Sequence, residues 1–275
     1  MCNSSKMMNN LFKLAVMIQQ FLSIPQKMSK NLAVFDFDHT IIHENSDVAV
    51  MNLIDPKKIP KEIKLLHRSD GWTAFMQGVF ETLHKHKIKE ENIRKLVETL
   101  QEVKGMRELI KELHENLNYD VIIISDSNSY FINTWLDAND MKKYITGVFT
   151  NPAHFENDLL KISMYHLQES CKLSTRNLCK GQIMEEFLKE QQERGLPYER
   201  VLYCGDGLND FCPILRLGEG DLACVRAEYK CAEIVAKAKD GSYKDEEGKS
   251  RDVKSDVFVW NDGYEIINYI KQNEV

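Results

Sequence analysis

The stretch NLAVFDFDHT (residues 31–40) decides the reading of this chain. It is an apolar run that switches abruptly to acid at Asp36. An apolar run without alternation is the mark of a strand buried on both faces, as in a parallel sheet. The same pattern recurs. Residues 121–124 (VIII) lead into Ser125, Asp126, Ser127 and Asn128, and residues 201–204 (VLYC) lead into GDGLND at 205–210. Further runs stand at 221–225 (DLACV) and 257–260 (VFVW). Helical stretches at 130–138, 181–194, 210–217 and 264–272 separate them. Strands alternating with helices predict an α/β fold with a doubly wound, Rossmann-like parallel sheet. In such sheets ligands bind beyond the carboxyl ends of the strands, where the polar clusters fall.

Residues 46–104 have little strand character and read as several helices, broken at Asp55–Pro56, Pro60 and Ser69–Asp70–Gly71. An insertion directly after the first strand reads as a helical cap over the mouth of the sheet. Packing of these helices on a sheet face is the simpler alternative. The core is then 31–45 with 105–275, and residues 1–30 form an N-terminal extension without a fold of its own.

The composition excludes several classes. The 275 residues are 43% hydrophobic and 28% charged, with a net charge of −6, an ordinary globular balance that lacks the basic surplus of nucleic-acid binders. The apolar stretch 11–24 is interrupted by Lys13, Gln19, Gln20 and Ser23, too short and too polar to span a bilayer. Lys6, Lys13, Lys27 and Lys30 occur without an acid in the first 30 residues, a mitochondrial-like trait, but arginine is absent. The expectation is a cytoplasmic protein with no nucleic acid, membrane or identifiable protein partner. The 7 cysteines are odd in number and include no CxxC pair, which suits reduced thiols. Cys171 and Cys179, with His154 and His166 nearby, match no standard zinc spacing, so no structural zinc is expected.

The polar clusters suggest a chemistry. Of Asp36 and Asp38, one carboxylate could attack as a nucleophile and the other could serve as general acid and base. Alone, such a pair is also what ends a strand or caps a helix. The hydroxyls and amides of 125–128 could hold phosphate oxygens at a helix start, or simply cap it. Gly205 and Gly207 permit a tight turn, and Asp206 and Asp210 offer hard oxygen ligands. The ligand series of an EF-hand is missing, which removes calcium as the obvious reading. Lys180 gains meaning only from the pattern around it.

Taken in order, DxDHT, the serine-ending strand, the lysine and GDGxND resemble the haloacid dehalogenase superfamily. More narrowly, FDFDHTIIHENSD (35–47), VIIISDSNSYFI (121–132), VFTNPAHF (148–155), NLCKG (177–181) and YCGDGLNDFCP (203–213) resemble the phosphoethanolamine/phosphocholine phosphatase and pyridoxal phosphate phosphatase family. The resemblance implies a phosphatase of a small-molecule phosphoester, with Asp36 as nucleophile and Asp38 as general acid and base. It implies Mg2+ held by Asp36, the Asp38 carbonyl and Asp206, with Asp210 orienting. Lys180 would offset charge, and Ser125 would position the phosphate. Asp47, Asp126 and Asn128 would contact substrate, the two acids facing an ammonium group. Helix capping for Asp47 and turn formation for Asp126 are the plain alternatives. Trp72, Phe75 and Phe80 would belong to the cap core, or line it over a choline-like cation. The chain departs from the family at 1–30 and at 156–176, which holds fewer cysteines than the family pattern. A pyrophosphatase, a phosphoserine-type phosphatase and a non-catalytic phosphate-binding protein are the rival readings.

Overall fold

A computed structural model describes residues 30–69, 71–245 and 247–273, so the expectations for residues 1–29 lie outside it. Strand β1 (Lys30–Phe35) already includes Lys30, assigned above to the extension, because Lys30 pairs with Tyr198 and its Nζ donates to Asp120 at 2.7 Å. In chain order there follow α1 (Ser46–Met51), α2 (Lys61–Ser69), α3 (Trp72–Lys85), α4 (Glu90–Glu98), α5 (Met106–Glu115), β2 (Tyr119–Asn128) and α6 (Ser129–Ala138). Next come β3 (Gly147–Asn151), β4 (Ala153–Glu156), β5 (Leu159–Ile162), α7 (Lys180–Glu193), β6 (Tyr198–Gly205) and α8 (Phe211–Ile214). The chain closes with β7 (Leu222–Arg226), α9 (Lys230–Lys239), β8 (Asp256–Trp260) and α10 (Gly263–Asn273).

Six strands form one parallel sheet in the order β3-β2-β1-β6-β7-β8. Both faces are covered. Ala33, Phe35, Val121 and Ile123 pack under α5, α6 and α10, while Leu32, Val34, Ile122 and Ile124 pack under α7, α8 and α9. This alternation within β1 explains its continuous apolar run, since both sets of side chains are fully buried. Each of these side chains larger than alanine contributes about 1.5–3 kcal/mol of burial.

Five elements escaped the sequence reading. β3 is an edge strand whose first residues are only half-buried, so it shows no continuous apolar run. The β4–β5 hairpin turns on Asn157 and Asp158 at φ 51° and 63°, the left-handed pair that suits a two-residue turn. In α5, Met106, Leu109, Ile110 and Leu113 face the core at helical spacing, and in α9 Cys231, Val235 and Ala238 do so.

The helical insertion leaves and rejoins the sheet through two adjacent stems. Val103 N donates to Ile41 O at 2.9 Å, and His43 N donates to Gln101 O at 2.8 Å. Ile59, Phe75, Met76, Val79 and Phe80 of the insertion share one apolar cluster with Phe131 and Ile132 of α6. Ile162 N of β5 donates to Gln77 Oε1 of α3 at 3.0 Å, so the hairpin and the insertion also touch.

Candidate active site

Asp36 stands where β1 ends, its N–H held by Cys204 O at 2.9 Å. Its Oδ1 accepts from Phe37 N at 2.7 Å, and its Oδ2 lies 2.5 Å from Lys180 Nζ. Lys180, the first residue of α7, has no exposed surface and also donates to Asp210 Oδ1 at 2.7 Å. Burial alone would lower the lysine, but Asp210 and Asp36 outweigh it and hold the ammonium above its usual range.

Asp210 anchors this corner. Its Oδ1 also accepts from Tyr203 OH at 2.6 Å, and its Oδ2 accepts from Asp206 N at 2.9 Å and Gly207 N at 2.8 Å. Gly205 is needed here, since a Cβ would stand 2.3 Å from Asp210 Cγ. Asp206 points back toward β1, where Thr40 Oγ1 donates to its Oδ1 at 3.3 Å. Arg226, stacked over Tyr229, donates to His39 O and so braces the turn after Asp38, where His39 has φ 56°.

Carboxylates of Asp36, Asp206 and Asp210 offer oxygens within 4.8 Å of one another. Burial pushes Asp36 and Asp206 up, and repulsion among the three acids adds to it. One lysine shared between Asp36 and Asp210 offsets only part of that charge. Converging hard oxygens with a deficit of positive charge fit a divalent cation such as Mg2+. Of the donors expected for magnesium, the carboxylates of Asp36 and Asp206 stand together, with the Asp210 carboxylate beside them.

Asp38 is half-buried, and its Oδ1 accepts from Ser46 N at 3.0 Å. Burial, then the nearby Asp47 carboxylate, raises its pKa well above the ordinary range, which favours the protonated form. An aspartate with its pKa raised beside a second carboxylate is the arrangement that general acid catalysis needs.

At the end of β2 the predicted residues divide. Ser125 is buried, with its Oγ accepting from Ser127 N at 3.3 Å. Asn128 caps α6, its Oδ1 taking Phe131 N at 3.0 Å, and its buried Nδ2 has no protein partner. Asp126 does not serve a local turn. Its carboxylate accepts from Asn177 Nδ2 at 3.0 Å, Asn209 Nδ2 at 2.8 Å and Thr175 Oγ1 at 3.3 Å, tying three segments together. Asp47 does not cap α1, because Asn45 does so through Val48 N. It is buried, with Oδ2 accepting from Trp72 Nε1 at 2.6 Å and Oδ1 unpartnered. Burial raises it to about 7, with Asp126 adding repulsion and Trp72 opposing. Phe80 is core, edge-on to Phe131, as is buried Phe75, whereas half-buried Trp72 reaches Asp47 and packs against Phe75.

Tyr203, Thr40, Arg226 and the Ser46–Ser127 hydroxyl pair at 2.8 Å were missed by sequence reasoning. Tyr203 sits inside an apolar run and gave no signal. Thr40 and Ser46 lie within the motif-bearing segment 35–47 and could have been singled out.

A "Putative Phosphatase" family model matches residues 31–273. The mouse protein "Pyridoxal phosphate phosphatase PHOSPHO2" is 37% identical over 244 residues, covering 88% of this chain and 98% of that one. The human "Phosphoethanolamine/phosphocholine phosphatase" is 29% identical over 209 residues, covering 75% of this chain and 78% of that one. Among solved structures, an aspartyl-phosphate analogue of phosphoserine phosphatase superposes with a TM-score of 0.56 at 18% identity, covering 88% of this chain and 99% of that one, which speaks to the fold. With the family model spanning residues 31–273 and the sheet carrying the acid cluster at its carboxyl edge, the chain belongs to this phosphatase family.

Proposed function

We propose that this phosphatase hydrolyses a small-molecule phosphomonoester through an aspartyl phosphate on Asp36, with Mg2+ as cofactor. The observation that carries the reading is the buried chain Asp36–Lys180–Asp210, with Asp38 two residues beyond Asp36 and held by Ser46 N. Asp36, the Asp38 carbonyl and Asp206 would hold the cation, whose charge lets an anionic nucleophile meet an anionic phosphate.

Asp36 attacks phosphorus, and the bond from phosphorus to the ester oxygen breaks. Asp38 gives its proton to the departing alkoxide. It then takes a proton from water, which attacks the aspartyl phosphate, freeing inorganic phosphate and restoring Asp36. Lys180 stays charged and stabilises negative charge developing on the phosphoryl oxygens. Ser125 and the amides of the following turn position the phosphate. The helical insertion serves as the cap, limiting access to small substrates and excluding water.

Pyridoxal phosphate, phosphoethanolamine and phosphocholine are the substrates to test, by analogy with the relatives' names. The unpartnered Asp47 Oδ1, on a carboxylate held by Trp72 Nε1, favours a cationic head group, since a buried carboxylate oxygen wants positive charge and a neighbouring indole attracts it. The test is phosphate release from that panel, with and without chelator, for wild type, Asp36→Asn and Asp47→Ala. Turnover is expected to vanish with chelator and in Asp36→Asn. Unchanged turnover in Asp36→Asn would overturn the covalent route. Selective loss of amino-alcohol phosphates in Asp47→Ala supports the cationic pocket, and a uniform loss across the panel counts against it.

A further inference from the structure

Three thiols outside this site converge from two parts of the chain. Cys171 and Cys179 belong to the segment leading into α7, and Cys212 lies in α8, directly after the turn that carries Asp206 and Asp210. Cys212 Sγ is 3.4 Å from Cys171 Sγ and 3.7 Å from Cys179 Sγ, and all three sulfurs lie within 4.8 Å of one another. Ser174 Oγ sits among them, accepting from Cys171 Sγ at 3.5 Å and donating to Cys179 Sγ at 3.2 Å.

The approach is built into the backbone. A Cβ on Gly181 would stand 2.8 Å from Cys212 Sγ, so only glycine lets α7 come this close to α8. His166 is not a member of the cluster. Its Nε2 accepts from Cys179 N at 2.9 Å and so holds the loop in place. The two histidines considered from sequence are thus replaced by a cysteine from a distant segment.

Tetrahedral thiolates around zinc, each bonded at about 2.3 Å, lie about 3.8 Å from one another. The spacing observed here is close to that, whereas a disulfide needs about 2.05 Å and would use only two of the three sulfurs. Hydrogen bonding from Cys212, then from Ser174, lowers the Cys179 thiol, against the effect of burial. Arg216 Nη2 lies 3.8 Å from Cys179 Sγ and supplies positive charge beside it.

We propose that Cys171, Cys179 and Cys212 bind one zinc ion, which ties the loop before Lys180 to the turn bearing Asp206 and Asp210. Each thiol that binds releases its proton to solvent. Three thiolates and a dication carry a net charge of −1, and Arg216, which also pairs with Glu185, lies beside them. A fourth position faces the Ser174 hydroxyl and is filled by water or by that oxygen. Soft sulfur donors and hard carboxylates select different metals, so the two sites do not compete. Cys171 and Cys212 border a cavity of about 940 Å³, which provides an entry path. The ion would act on catalysis only by position, because Cys179 precedes Lys180 directly and Cys212 follows Asp210 by two residues.

The experiment uses the full chain, purified in reducing buffer without chelator, with Cys171→Ser as the variant. Cys171 is only half-buried, so its serine form keeps the core intact. Elemental analysis is expected to find one zinc per chain in wild type and none in the variant. Replacement of zinc by Co2+ is expected to give a near-ultraviolet sulfur-to-cobalt band and visible bands of tetrahedral cobalt, which oxygen-bound cobalt in the carboxylate site cannot produce. Absence of that band in wild type with all thiols reduced would overturn the proposal. So would a Cys171–Cys212 disulfide in protein alkylated at lysis. Should the variant fail to fold, the wild-type cobalt spectrum decides alone.

Discussion

Lys180 Nζ lies between two carboxylates, 2.5 Å from Asp36 Oδ2 and 2.7 Å from Asp210 Oδ1, with no exposed surface. The lysine therefore joins the end of β1 to the Gly205–Asp210 turn. Removing it leaves two buried acids facing one another. Lys180→Ala is expected to destabilise the protein by about 3–5 kcal/mol, the usual cost of orphaning a buried charge. Denaturant unfolding in chelator checks this, and a loss no larger than that of an exposed lysine would show that Asp36 and Asp210 relax without it.

Tyr203 shares Asp210 Oδ1 with Lys180, its OH donating at 2.6 Å. Tyr203→Phe keeps the ring in the core and deletes only the hydroxyl donor. The expected cost is about 1.5–3 kcal/mol, as for other hydrogen bonds to charged groups. The same unfolding measurement checks it. Full stability in the variant would mean that Lys180 and the turn amides alone fix Asp210.

Gly205→Ala puts a methyl 2.3 Å from Asp210 Cγ and 2.6 Å from Oδ2, the oxygen that holds the amides of Asp206 and Gly207. Overpacking of this kind costs about 1–3 kcal/mol. Displacing Asp210 also lets Asp206 drift, so the Mg2+ concentration for half-maximal turnover is expected to rise. A magnesium titration of activity reads this directly. An unchanged midpoint would separate the turn from the metal site.

Asp47 gives a pH signature. Folded, it keeps its proton up to pH about 7, whereas unfolded it loses it near 3.8. Between those values the folded state binds the extra proton, so the contribution of Asp47 to stability falls as pH rises from about 4 to about 7. Asp47→Asn retains an oxygen for Trp72 Nε1 and has no charge to bury. Its melting temperature relative to wild type should therefore climb across that window, in chelator and without substrate. A difference that stays flat with pH would mean that Asp47 ionises as an exposed acid.

Much of the molecule was legible along the chain because it depends on local pattern. The runs at 31–35, 121–124 and 201–204 announced buried parallel strands, and the polar residues that end them fall at the sheet's carboxyl edge by the geometry of such sheets. The family likeness of those segments then pointed to Asp36, Asp38, Lys180 and Asp206 together. Edge strand β3 and the β4–β5 hairpin were hidden because half-exposed strands lack the continuous apolar signature.

Other features had no local trace. Helix packing put Trp72 Nε1 on Asp47 and left the other carboxylate oxygen unpartnered. Crossing loops gave Asp126 to Asn177 and Asn209, and brought Cys212 to Cys171 and Cys179. Periodicity reports which face of an element is buried, because burial follows from the spacing of side chains along one helix or strand. It cannot report which polar groups meet, because those meetings depend on how separate elements pack in space.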